Sequence, residues 1–220
     1  MTSVQSRRMR TRVTTATGAE IDARHGVPAG QRRAETWKVV HYGPVPRRTD
    51  PQLWDFRVTG ATASGEEHVL DRATLDRLPH VTVRGDLHCV NGFSMFGLSW
   101  TGVPTTALLD LVPPRADVSH VMAWAEYGYS ANLRLSDLRV ESTLLATGVD
   151  GAALTPERGG PLRLVLPHLY AWKGPKWLRA IEYLTEDRRG FWEERGYHNI
   201  GDPWSGARYS YQEEAGEGPA

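Results

Sequence analysis

The sequence is short of several things, and each shortage closes off a class of function. It has one cysteine, Cys89, in 220 residues. An internal disulfide, a cysteine-rich zinc site and a cysteine-held iron–sulfur cluster all need more than that. It has no apolar run near the roughly 18 residues that cross a bilayer as a helix, so no membrane span is expected. It has no surplus of charge: Lys plus Arg and Asp plus Glu both count 26, for a formal net charge of zero. That balance argues against non-specific binding to nucleic acid or to a membrane surface. There is no Walker loop, no GxGxxG after a strand, no HExxH and no internal repeat, so nucleotide-binding and zinc-protease signatures are missing. Phenylalanine is scarce, four residues against eight tryptophans, which suits a core of large rigid side chains.

What is present predicts one substantial core. Hydrophobic residues make up 40% of the chain, enough for a single domain of this length. Residues 1–34 read as a flexible charged arm with Arg7, Arg8, Arg10 and Arg12. The arginine pair invites an export reading, but residues 14–33 contain no apolar stretch to complete it, so a cytoplasmic location is expected. Residues 210–220 are rich in Gly and Glu and are expected to be disordered. Between them, residues 35–209 form the expected domain. Trp37 to Tyr42 reads as extended chain. Alternation of Trp54, Phe56 and Val58 predicts a half-buried strand over 53–59. A short strand follows at His68 to Leu70, then a helix capped by Asp71 and stopped by Pro79. Further strands are predicted at 81–84, 118–125 and 178–184. Helices are predicted at 105–112 and from Ser136 to Leu145. The fold class is α+β.

Two blocks carry chemistry. The first is Asp86-Leu87-His88-Cys89-Val90-Asn91-Gly92-Phe93-Ser94. A thiolate is a soft, strongly donating ligand and a good nucleophile, although a lone cysteine is more often a small buried hydrophobe. His88 adjoins Cys89, but neighbours along a strand point to opposite faces, so adjacency does not make a dyad. The second block runs from Pro156 through Gly159-Gly160-Pro161-Leu162-Arg163-Leu164-Val165 to Trp172-Lys173-Gly174-Pro175-Lys176-Trp177-Leu178. Its four cations, Arg158, Arg163, Lys173 and Lys176, stand among glycines. That composition suits a bound phosphate or other oxyanion, and equally a solvated basic loop.

Together these blocks, with Trp100-x-Gly102-Val103-Pro104 between them, resemble the sulfite oxidase-type molybdopterin oxidoreductases over residues 37–209. The resemblance implies a mixed, β-rich molybdopterin-binding fold with a few short helices, built around a single pyranopterin. Cys89 matches the cysteine that ligates molybdenum in that family, with two further sulfurs from the pterin dithiolene. Arg163 and Lys176 match cations that hold the pterin and its phosphate. Arg158, Lys173 and Gly174 lie beside them, and His41 and Tyr42 fall where relatives line the cofactor from the N-terminal side. The implied activity is two-electron oxygen-atom transfer with a small-molecule oxygen donor or acceptor and a separate electron-transfer partner. Tungsten accepts the same ligands as molybdenum.

The departures bear on substrate. Sulfite oxidases place Arg and His just before the Pro-x-Pro turn, where Val40 and Tyr42 stand here, and an Arg after the ligand cysteine, where Phe93-Ser94 stands. A doubly charged oxyanion needs such fixed donors in place of water, so sulfite is not expected. Neither a haem domain nor the family's C-terminal dimerisation domain is expected at this length, and without an apolar stretch after the arginines the exported methionine-sulfoxide-reducing identity is not expected either. Residues 190–199 and 201–204 read as a segment closing the mouth of the site, their aromatics chiefly as packing. Two other readings remain open: a cofactor carrier without turnover, and a thiol enzyme using Cys89 with a histidine.

Overall fold

Strand formation follows the alternation in the sequence. Phe56 and Val58 are fully buried while Arg57 is exposed, so Asp55–Gly60 folds as a strand with one face on the core. The computed structural model describes residues 26–47 and 54–219. Most of the expected N-terminal arm and Leu53 lie outside the described residues. In chain order the elements are β1 (Arg32–Arg33), β2 (Asp55–Gly60), β3 (His68–Asp71), α1 (Arg72–Arg77), β4 (Val81–Cys89), β5 (Phe93–Pro104) and α2 (Thr105–Leu111). They continue as β6 (His120–Ala125), β7 (Ser130–Arg134), β8 (Leu144–Val149), β9 (Ala152–Ala153), β10 (Arg163–Val165) and β11 (Leu178–Leu184). The result is the mixed, strand-rich α+β architecture expected, with few and short helices.

Two sheets share the core. The first runs β1-β5-β8-β10, with β4 also on β5 and β9 on β8; the second runs β3-β2-β11-β6-β7. A larger apolar cluster holds Phe56, Leu108, Val121, Leu138, Leu145, Leu164 and Ile181, while a smaller one surrounds Cys89, Trp100 and Leu144. Asp71 caps α1, accepting a hydrogen bond from the Thr74 N–H at 2.7 Å.

The first sheet delivers Cys89. β4 runs through to Cys89 rather than stopping at Arg84, and pairs with β5 across a register shift between Gly85 and Leu87. Gly97, at φ 67, accommodates the extra β5 residue, and its N–H donates to Asp86 Oδ1 at 2.8 Å. Asp86 thus fixes the twist three residues before the cysteine. β5 itself is twelve residues long and is interrupted by glycines, which hid it from periodicity.

Three expectations are corrected. The helix expected from Ser136 to Leu145 is a 3-10 turn, Leu135–Arg139, followed by β8. Leu144, Leu145 and Ala146 are all fully buried, a continuous apolar run that suits a two-sided central strand as well as a helix. The described end of the N-terminal arm is not loose: Arg32–Arg33 pairs in parallel with Phe93–Ser94. The tail also departs from disorder over its described residues. Ser210–Gln212 forms a 3-10 turn, and Glu213 takes a two-point ion pair from Arg189, a tertiary tie that composition does not reveal.

Candidate functional site

Cys89 closes β4 and opens a tight connection to β5. The Gly92 N–H donates to the Cys89 carbonyl at 3.0 Å, and Gly92 takes the left-handed φ of 86 that the turn needs. Burial pushes the thiol pKa up, while a hydrogen bond from the Asn91 backbone and the charge of Lys176 pull it the other way. His88 turns to the opposite face. It is buried, bonds Ser94 Oγ through Nδ1 at 2.8 Å, and burial pushes its pKa down to about 4. His88 is therefore neutral at physiological pH, and, bonded to Ser94 and outside the cavity that Cys89 lines, it is not placed to take the Cys89 proton.

The thiol faces a cavity of about 330 Å³ lined by residues from six separate segments. One side is basic. Arg163, on β10, is almost wholly buried; its Nη1 donates to the Arg158 carbonyl at 3.1 Å, and its Nε has no hydrogen-bond partner among the described residues. Its guanidinium lies 5.3 Å from the Trp100 ring. Burial pushes its pKa down to about 10, which still leaves it charged at neutral pH. Lys176 donates to the Glu157 carbonyl at 2.7 Å. Burial first, then the charges of Arg163 and Arg158, push its pKa down to about 7. Arg158 stands one layer back, 4.3 Å over the ring of Trp37, which lines the cavity. Among the described residues none of these three cations has a carboxylate at ion-pair distance. Clustered, desolvated positive charge of this kind calls for a bound anion.

Of the residues expected at the site, Cys89, His41, Tyr42, Arg163, Gly174 and Lys176 meet around this cavity. A Cβ on Gly174 would sit 2.5 Å from the Leu164 carbonyl, so glycine is what lets the loop lie against β10. Lys173 is a correction. The 3-10 turn Ala171–Lys173 sends its side chain away from the cavity, where Nζ donates to Glu193 Oε1 (2.7 Å), Asn132 Oδ1 (2.8 Å) and the Asn199 carbonyl (2.7 Å).

The other side of the cavity is aromatic, and sequence reading largely missed it. Trp37, Tyr129, Trp172, Trp177, Trp192 and Tyr197 all contribute. Trp192 and Tyr197 belong to the segment expected to close the mouth. Tyr129 donates its hydroxyl to the Trp172 carbonyl, and burial raises its pKa well above the ordinary value, so the phenol stays neutral. Its neighbours do not join it: Glu126 lies 3.7 Å from Arg179, and Tyr127 is about half exposed. Trp177 adopts φ 54, a conformation that costs a non-glycine residue on the order of 1–3 kcal/mol. It is held by its indole N–H to the Pro156 carbonyl at 2.6 Å and by its backbone N–H to Gly159 at 3.2 Å. Strain is thus stored beside Lys176, where the backbone meets the cavity.

The lowered pKa of Lys176 has a measurable sign. In the cofactor-free protein the folded chain gives up this proton near pH 7, whereas the unfolded chain keeps it to the ordinary 10.5. Between those values the unfolded state binds more protons, so stability rises with pH. Lys176→Met lacks this dependence. The variant is expected to be more stable than wild type below pH 7, with the gap closing as pH rises towards 10.5, measured by urea denaturation in the absence of phosphate.

Among the described residues no three His, Cys, Asp or Glu side chains are grouped to hold a metal ion, and no helix is long and apolar enough to cross a membrane.

Comparison with known proteins places this geometry. Residues 42–192 match the family described as oxidoreductase molybdopterin binding domain. The chain is 37% identical over 185 residues to the uncharacterized oxidoreductase YuiH of Bacillus subtilis (strain 168), covering 84% of this chain and 92% of that protein. It is 29% identical over 155 residues to the putative protein-methionine-sulfoxide reductase subunit YedZ1 of Azospira oryzae, covering 70% and 58% respectively. Against the protein-methionine-sulfoxide reductase catalytic subunit MsrP of Gluconobacter oxydans it is 29% identical over 160 residues, covering 64% and 50%. The chain therefore spans about half the length of those two proteins. In fold it resembles the sulfane dehydrogenase SoxCD of Paracoccus pantotrophus, with a TM-score of 0.59 at 17% identity over 68% of this chain and 42% of that one.

Proposed function

The chain belongs to the oxidoreductase molybdopterin-binding domain family, and from that premise we propose that it carries out two-electron oxygen-atom transfer at a molybdenum ligated by Cys89 and a single pyranopterin. The observation that carries the reading is the meeting of one buried thiol with Arg163 and Lys176 around one cavity, with Arg158 one layer behind, none of the three cations having a carboxylate at ion-pair distance among the described residues. The residues fit the group: a soft sulfur donor at one end and unneutralised guanidinium and ammonium groups at the other. Tungsten would fit the same donors.

When bound, the molybdenum–pterin group supplies a two-electron couple and an open position for an oxygen atom. The chain's own residues do the rest. Cys89 gives a thiolate at the end of a paired strand, so the sulfur is held rather than searching for the metal. Arg163 offers its free Nε, with Arg158 and Lys176 beside it, to the pterin and its phosphate. An anion next to Lys176 holds the lysine's proton at neutral pH and removes the penalty its burial imposes. Gly174 lets the loop backbone approach closely, and His41 and Tyr42 line the N-terminal side. Tyr42, Trp192 and Tyr197 present an uncharged surface, which disfavours sulfite and favours a neutral oxygen donor or acceptor.

In the reducing direction a donor gives up one oxygen, taking two electrons and two protons to yield the reduced product and water. The electrons come from a separate partner protein or quinol, and the oxidising direction returns them to one. Since two relatives are named for methionine sulfoxide, S-oxides are the first donors to assay. The test of the reading is elemental and pterin analysis of protein made in a molybdate-replete host. About one molybdenum and one pterin per chain are expected; a well-folded protein with neither overturns it.

A further inference from the structure

The turn that carries Cys89 is held from behind by a segment outside the matched residues 42–192. We propose that residues 28–34 form a positioning strap for Cys89, with Gln31 as its working residue; the inference rests on Cys89 being the metal-binding thiolate. Gln31 is half-buried, and its carboxamide is used at both ends. Its Nε2 donates to the Cys89 carbonyl at 3.1 Å, and its Oε1 accepts from Ser94 Oγ at 3.2 Å. Ser94 has one hydroxyl proton and spends it on Gln31. The 2.8 Å bond between Ser94 Oγ and His88 Nδ1 is therefore donated by the histidine, which fixes the tautomer. Donation runs one way, from His88 to Ser94 to Gln31 to the Cys89 carbonyl.

That carbonyl already accepts the Gly92 N–H at 3.0 Å. With Gln31 added, both of its lone pairs are engaged and the peptide plane after Cys89 is pinned on both sides. The strap backbone reinforces this: the Arg32 N–H donates to Gly92 and the Ala34 N–H to Ser94, at 3.0 and 2.9 Å. A latch holds the strap in turn. Arg208 donates from Nε to the Tyr170 hydroxyl at 2.8 Å and from Nη2 to the Gly30 carbonyl at 2.9 Å. Tyr170 is buried and bridges to His88. Two bonds thus converge on the Cys89 carbonyl, from Gln31 and Gly92, while the strap backbone holds Gly92 and Ser94 on the far side of the turn. Gln31 touches neither metal nor substrate; it acts through the Cys89 backbone.

The test uses the full chain with Gln31→Met, which keeps length and loses both bonds. In cofactor-free protein the rate of Cys89 alkylation by iodoacetamide is expected to rise at least roughly fivefold, the change that each lost hydrogen bond makes in a local opening equilibrium. In metal-loaded protein the electron paramagnetic resonance line shape of the one-electron-reduced metal is expected to change, while far-ultraviolet circular dichroism does not. Arg208→Met, which leaves Gln31 in place, is expected to move the same readouts in the same direction by less, and it decides the matter should Gln31→Met fail to fold. An alkylation rate and line shape equal to wild type in the folded variant would overturn the strap. The alkylation arm needs no metal, so it separates failure of the strap from failure of the proposed metal role.

Discussion

Cys89→Ser is expected to yield a folded chain that retains no molybdenum and turns over at least about a hundredfold more slowly, since losing a mere outer partner of a metal ligand already costs 10–100-fold. The fold should survive because the change is nearly isosteric and Cys89 contributes to the ladder through its backbone, paired with Phe93. The metal should not. A serine hydroxyl is a harder donor and far weaker acid than a thiol, so neither softness nor ionisation is kept. Burial raises the Cys89 pKa, so the cofactor-free protein carries a thiol at neutral pH and loading releases its proton. That release, followed in weak buffer near pH 6 where Lys176 already holds its proton, should be present in wild type and missing in the variant. Wild-type metal content and turnover in Cys89→Ser would sink the proposed ligand role.

Lys173→Met is expected to cost about 3–5 kcal/mol of stability, the range for deleting one partner of a buried ion pair. Both side chains are essentially without solvent contact. Glu193 Oε1 receives Lys173 and also the Trp172 indole N–H at 3.1 Å, while Oε2 is buried with no partner among the described residues. Deleting the ammonium strands a carboxylate that already lacks half its bonds. The double variant Lys173→Met/Glu193→Gln removes the stranded charge and should recover most of the loss. Urea denaturation of wild type, both single variants and the double variant closes the cycle. The same proteins settle which way Lys173 works. Because its side chain points away from the cavity, the folded single variant should still take up cofactor. A variant of undiminished stability that loses cofactor would return Lys173 to the cofactor.

What the sequence disclosed and what it hid divide along physical lines. The block from Asp86 to Ser94 is contiguous, so its strand end, turn and thiol could be read together. Arg163, Gly174 and Lys176, singled out because their order resembles a family pattern, do line one cavity with Cys89. Lys173 was misread because spacing does not say which way a 3-10 turn throws a side chain, and one residue separates a cavity wall from a buried ion pair. The start of the strand Leu144–Val149 reads as the end of a helix from Ser136 to Leu145 because burial on both faces erases periodicity. The aromatic wall was legible only in pieces. Tyr129, Trp172, Trp192 and Tyr197 come from distant segments with no shared pattern, although residues 190–199 did suggest a closing function. Gln31 lies 58 residues from Cys89 in a stretch whose composition reads as loose chain.

The second sheet has an order of assembly written into it. Its middle strand, β11, is the last of its five to be made, and it pairs in parallel with β2 and antiparallel with β6. As the chain leaves the ribosome from its N-terminus, β2–β3 and β6–β7 exist first as two separate hairpins, each with an unpaired edge. Only when Leu178–Leu184 emerges do they become one sheet. Trp192 and Tyr197, which complete the cavity, come later still. Vectorial synthesis therefore defers the cavity itself: its wall is incomplete until Tyr197 has emerged, and until β11 is made two sticky edges need shelter in the cell.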